Sequence, residues 1–159
     1  PDFSEAHYHL ALAYSRWGRT DDAIPEFEEA LRLRGDFVQA RYFLAECCRK
    51  RGDFEGEMRL LAAVTQAAPT FAEARYNYGL ALQQLGRARE AEAALLRAQE
   101  LDPADPQIVY AVTTFLVHEK QWKRALPYAE KLVQLTPGQP GPLQMVENIR
   151  RQVGSPSSR

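Results

Sequence analysis

Residues 72–105 read AEARYNYGLALQQLGRAREAEAALLRAQELDPAD, two helical patterns joined at Gly86-Arg87 and stopped at Asp102-Pro103. The same order of residue types returns 34 residues away on both sides. With Ser4, Val38, Ala72 and Pro106 as first positions, four equal blocks result: 4–37, 38–71, 72–105 and 106–139. Position 5 reads Tyr8, Tyr42, Tyr76, Tyr110, and position 32 reads Gly35, Pro69, Pro103, Pro137. Position 30 reads Leu33, Ala67, Leu101, Leu135. Self-similarity at this spacing marks a helix–turn–helix repeat array. Such an array works by presenting a surface, and the sequence does not name what binds there.

Within each block the first helix takes roughly positions 2–14, Glu73 to Leu85 in the third block, and the second roughly positions 17–31. Between them stand Gly18-Arg19, Gly52-Asp53, Gly86-Arg87 and Lys120-Gln121. Glycine there suits the left-handed conformation that ends a helix. Thr20, before Asp21-Asp22, is the expected N-cap of its helix. Ala68-Pro69 and Asp102-Pro103 end the second helices. Leu10, Tyr14, Ala23, Phe27 and Ala30 fall at three- and four-residue steps on inward faces. Phe27, Leu61 and Leu95, all at position 24, are expected to fill the space between successive hairpins. One hairpin cannot cover both of its apolar faces, so stability grows with the array. Pro25 and Pro127, near the starts of second helices, are expected to bend but not break them.

After the fourth block, Gly138, Pro140, Gly141 and Pro142 mark a turn. Leu143–Val153, LQMVENIRRQV, reads as one amphipathic helix with Leu143, Val146, Ile149 and Val153 as its stripe. A helix over 142–153 is expected to cap the array. The solenoid then spans 1–153, and the closing GSPSSR, 154–159, reads as a disordered tail.

The chain has 159 residues, 45% of them hydrophobic and 26% charged, the composition of a soluble folded domain. No apolar run is long enough to span a bilayer, so no membrane insertion is expected. The net charge of −1 argues against wholesale electrostatic binding to DNA or RNA, which needs a basic face, and leaves local patches open. Cys47 and Cys48 are adjacent, which strains a disulfide between them and suits them as small core residues. The chain opens on Pro1 and not Met, which leaves open whether it is a piece of something longer.

The pattern resembles the tetratricopeptide repeat (TPR) family. Its signature is Trp, Leu, Gly, Tyr, Ala, Phe, Ala, Pro at positions 4, 7, 8, 11, 20, 24, 27 and 32. Block 1 carries Leu10, Tyr14, Ala23, Phe27 and Ala30, and block 2 keeps Leu44 and Pro69. Block 3 carries Gly79, Ala91, Ala98 and Pro103, and block 4 keeps Ala125 and Pro137. Position 4 departs, holding His7, Arg41, Arg75 and Val109, and Glu57 stands where the family has a small residue. Burying that carboxylate unpaired is costly, so the second hairpin is expected to splay or Glu57 to reach solvent. The resemblance implies an all-α fold, a right-handed α-solenoid of four repeats with a C-terminal capping helix.

The resemblance also implies that the first helices line a concave face, with exposed contacts from positions 2, 5, 6, 9, 12 and 13. The groove residues are then Tyr8, His9, Leu12 and Arg16 in block 1, and Tyr42, Phe43, Glu46, Arg49 and Lys50 in block 2. Tyr76, Asn77 and Leu80 follow in block 3, and Tyr110, Thr114 and His118 in block 4. Tyrosine combines a large apolar ring with one hydroxyl and is enriched among interface hot spots. Packing between neighbouring first helices is the other reading of the tyrosine ladder, and the residues leave both open. Phe43 is the candidate pocket wall, with inter-repeat packing as its alternative. Arg16, Arg49, Lys50 and His118 gather toward the C-terminal ends of the first helices and suit an acidic group on a ligand. The plainer reading is that they complement the helix dipoles.

Members of the family that clamp acidic chaperone tails carry Lys, Asn, Asn, Lys and Arg at positions that here hold Tyr8, Leu12, Phe43, Glu73 and Asn77. Glu73 repels a carboxylate, which argues against that partner. No phosphate loop, metal-ligand spacing or nucleophile–base arrangement is present, so neither enzyme activity nor a cofactor is expected. The sequence therefore reads as a non-enzymatic scaffold that binds a peptide or partner protein in its concave groove. The alternative is a docking or self-association module of a larger protein.

Overall fold

In the computed structural model, which describes residues 3–154, each of the four blocks contains two helices. They are α1 (Phe3–Arg16) and α2 (Thr20–Leu33), α3 (Val38–Lys50) and α4 (Phe54–Ala67), α5 (Ala72–Gln84) and α6 (Ala88–Leu101), and α7 (Pro106–His118) and α8 (Trp122–Leu135). A ninth helix, α9 (Pro140–Gly154), follows. Among the described residues there is no strand. The helix α9 begins two residues before the expected 142, because Pro140 tolerates a first-turn position where no N–H is needed. Gly154 ends this helix and so leaves the expected tail, while 155–159 lie outside the described residues.

The chain turns in the same way in every block. Gly18, Gly52 and Gly86 have φ of +75°, +76° and +71°. In each block the N–H of position 16 reaches back to the carbonyl of position 11: Arg19 to Tyr14, Asp53 to Cys48 and Arg87 to Leu82 at 2.9 Å, and Gln121 to Leu116 at 2.8 Å. This back-bond answers the carbonyls that a helix end leaves unpaired. Helix starts are less uniform. Asp53 caps α4 by accepting from the Gly56 N–H at 2.8 Å, and Asp105 caps α7. Thr20 does not act as the N-cap of α2. It is the first helical residue, Arg19 holds the cap position, and Arg19 Nε pairs with Asp22 at 2.8 Å instead. Pro25 and Pro127 lie inside unbroken helices.

The helices gather into two compact units, Pro1–Ala91 and Glu92–Arg159, with the boundary inside α6. In the first unit α2 packs on α1 and α3, and α4 packs on α3 and α5. Phe27, fully buried, centres a core with Ala11, Ala23, Ala30, Phe37, Ala40, Leu44 and Cys47. A second cluster joins Tyr42, Ala45, Leu61, Val64 and Ala74. Leu10 does not point inward as its spacing suggests: it is 41% exposed. Its counterpart Leu44 is covered because α2 precedes α3, whereas no helix among the described residues precedes α1. Cys47 is buried, while Cys48 is only half-buried.

In the second unit α8 packs on α7 and α9. Val112, Leu116, Ala125, Ala129, Leu132, Val146 and Ile149 are buried there. Leu143 departs from the expected stripe of α9 and is 51% exposed, while Val153 is half-buried.

Glu57 does not reach solvent. Its side chain is 2% exposed, and Arg49 Nε approaches its carboxylate at 3.7 Å. Burial raises its pKa to about 7, with Arg49 acting against the rise and Glu46 adding to it. The counter-charge that allows this burial comes from the preceding helix, α3.

Candidate functional site

Position 5 meets a different environment in each repeat. Tyr8, half-buried on α1, sets its ring 4.7 Å from that of Phe37 and 6.1 Å from those of Phe27 and Phe43. Tyr42 is 5% exposed, which corrects its place among the exposed contacts. Its ring lies 5.0 Å from Phe71, and its hydroxyl accepts from Asn77 Nδ2 at 2.8 Å. Burial pushes this hydroxyl far above the usual phenol range, and the Glu73 carboxylate adds to the rise. Tyr76 is half-buried. In the second unit Tyr110 is 52% exposed.

The other groove residues divide by neighbour. Phe43 is half-buried and stacks on Phe27 at 6.2 Å with 10° between the rings, so it joins the first two repeats. Leu12 packs on the same cluster. Asn77 spends its amide on Tyr42, and Leu80 is half-buried. Arg49 pairs with Glu46 at 3.4 Å as well as with Glu57, and Lys50 Nζ donates to Ser15 Oγ at 3.3 Å. Arg16 is exposed. In the second unit His118 pairs with Glu119 at 3.0 Å, and the Thr114 hydroxyl donates to the Tyr110 carbonyl at 3.0 Å. Two of the four basic residues assigned to this edge, Arg49 and His118, thus have carboxylate neighbours within the chain.

In the first unit the structure brings Tyr8 and His9 into one open cleft of about 550 Å³. Glu5 and Gln39, at position 2 of their blocks, share its lining with Arg34, Asp36 and Phe37 from the stretch between α2 and α3. The Arg34 guanidinium lies 3.5 Å from the Phe37 ring centroid and 3.4 Å from Glu5 Oε1. The cleft therefore offers an aromatic floor, both signs of charge, an imidazole and an amide. Sequence reasoning missed Arg34, Asp36 and Phe37, which lie between the helices it relied on. A signal was present, because Phe recurs at Phe3, Phe37 and Phe71. A larger cleft of about 650 Å³ lies among α2, α3 and α4. Its polar groups are largely engaged within the chain: Arg41 donates to the Gly35 carbonyl, Asp53 caps α4, and Arg51 lies 3.7 Å from Asp21.

Comparison with known proteins agrees with this architecture. Two family models, both described as tetratricopeptide repeat, match residues 8–70 and 58–113. A crystal structure of MamA protein superposes with a TM-score of 0.88 at 20% identity, over 95% of this chain and 82% of that one. MamA 41-end from Desulfovibrio magneticus RS-1 gives 0.81 at 25% identity, over 89% and 80%. YrrB, described as a TPR protein with an unusual peptide-binding site, gives 0.81 at 18% identity, over 91% and 75%. At such identities the likeness is one of fold, the all-α solenoid of tandem hairpins. With the 34-residue recurrence of both turns and core, these matches make the chain a member of the tetratricopeptide repeat family.

Proposed function

We propose that the chain is a non-enzymatic interaction scaffold that takes a peptide segment of a partner protein on the first-helix side of its first unit. The observation that carries this reading is the cleft of Glu5, Tyr8, His9, Arg34, Asp36, Phe37 and Gln39. It gathers first-helix positions 2, 5 and 6 of the first repeat and position 2 of the second, and its Tyr8 and Phe37 rings sit beside Glu5 and Arg34. Such a mixture suits a peptide backbone and side chain better than a small apolar ligand. Further support comes from the fold shared with YrrB, itself described as having a peptide-binding site.

The cleft is tested by selecting peptides from a displayed random library on the intact chain. Selected peptides are expected to bind at about micromolar affinity, near −8 kcal/mol. His9 and Gln39 are exposed, so replacing both by Ala leaves far-UV circular dichroism unchanged and is expected to weaken those peptides at least tenfold. Undiminished binding to the double variant removes the cleft from consideration. Tyr42 is unsuitable for this test because its removal disturbs the core.

A further inference from the structure

The outer face of α1 carries the same residues through which α3 and α5 receive the helix before them. Phe3, Ala6 and Leu10 stand one repeat ahead of Phe37, Ala40 and Leu44. One repeat further on, the places are held by Phe71, Ala74 and Tyr78. Phe37, Ala40 and Leu44 share a core with Phe27 and Ala30 of α2, and Ile24 and Leu31 pack against it. Phe71, Ala74 and Tyr78 likewise pack with Leu60, Leu61 and Val64 of α4. Ala40 and Ala74 are fully buried by this arrangement. On α1 the same places lie open: Phe3 is 64% and Leu10 41% exposed, and Ala6 is exposed.

In the turn after α1, Trp17 is 71% exposed, its ring 6.4 Å from that of Tyr14. Phe3 and Leu10 are seven residues apart, a step that returns to nearly the same helix face. They form an apolar ridge about 10 Å long, with the small Ala6 between them. A soluble surface rarely gathers large apolar groups in this way without a partner. Beside the ridge, His7 Nδ1 lies 2.6 Å from Glu26 Oε2, tying α1 to α2.

We propose that this face of α1 is a docking seat for an amphipathic helix of the kind that ends each repeat. Such a helix presents aliphatic or aromatic side chains at the steps of Leu60, Leu61 and Val64 in α4. The first unit already makes this interface twice, at α2–α3 and α4–α5, and α1 carries the receiving half a third time. The seat is separate from the peptide cleft, because neither Phe3 nor Leu10 lines that cleft.

A fluorescein-labelled, hydrocarbon-stapled peptide with the α4 sequence, residues 54–67, is titrated onto the intact chain and followed by anisotropy. The staple removes the cost of nucleating a short helix. Saturable binding is expected, weakened at least tenfold by Leu10→Arg and unchanged by Leu143→Arg, an exposed leucine on α9. Both leucines are exposed, so circular dichroism is expected to match the parent chain. Absence of saturable binding, equal binding by a stapled peptide of scrambled sequence, or equal binding to Leu10→Arg overturns the proposal. So does a dimer in sedimentation velocity that Leu10→Arg converts to monomer, which assigns the ridge to a second copy.

Discussion

Glu57 holds a place that Ala23, Ala91 and Ala125 fill in the other repeats, all fully buried. An unfolded glutamate ionises near pH 4.5, whereas folded Glu57 ionises at about 7. Between these values the folded state binds more protons than the unfolded state, so stability falls as pH rises through the window. The penalty is absent below the unfolded pKa and complete above the folded one, reaching about 3 kcal/mol. Glu57→Gln keeps the shape and is expected to stabilise the chain by about 1–3 kcal/mol at pH 8 while changing little at pH 4. Urea unfolding at the two pH values measures this, and an equal effect at both dismisses the titration as its cause. Tyr42 sets a second test at this scale. Tyr42→Phe removes the hydroxyl that accepts from Asn77 and is expected to cost about 1 kcal/mol. The same change in a chain already carrying Asn77→Ala costs less if the two groups act as a pair.

At the scale of the element, the four turns between paired helices share one backbone device and differ in one residue. Lys120, with φ of 56°, occupies the left-handed place that glycine takes in the other three. A side chain there costs about 1 kcal/mol through contact of its Cβ with the following carbonyl. Lys120→Gly is expected to raise stability by several tenths to about 1 kcal/mol, and Gly52→Ala to lower it by a similar amount. Thermal melts of the two variants check both signs, and shifts of the same sign refute this account of the turn. The prolines fit the same local logic. Pro25 is the sixth residue of α2, so the carbonyl left without its N–H lies in the exposed first turn, at Asp21. Water satisfies that group, and the helix continues.

For the whole molecule, covering of exposed faces matters more than any single core. No described helix is long and apolar enough to cross a membrane. In the second unit α9 covers α8 with Val146 and Ile149, 7% and 1% exposed. Ile149→Ala is expected to cost about 2–4 kcal/mol, read as a lower urea midpoint with the slope preserved. A change within a few tenths of a kcal/mol would deny α9 its covering role. Turn glycines and the prolines after second helices act through their own backbone, so their recurrence placed the helix boundaries within a few residues of those observed. The candidate site was less legible. Tyr42 and Tyr110 hold the same place in the repeat, yet one is 5% and the other 52% exposed. That difference comes from what lies alongside: Phe71 and Asn77 close over Tyr42. Leu10 and Leu44 part for the same reason, and Arg34 and Phe37 enter the cleft only because α2 and α3 bring their connection beside α1. The sequence by itself determined the repeat, its turns and its family, since these depend on short-range backbone preferences. Tertiary structure alone decided which side chains stay free to meet a partner, because burial depends on the neighbour and not on the position in the repeat.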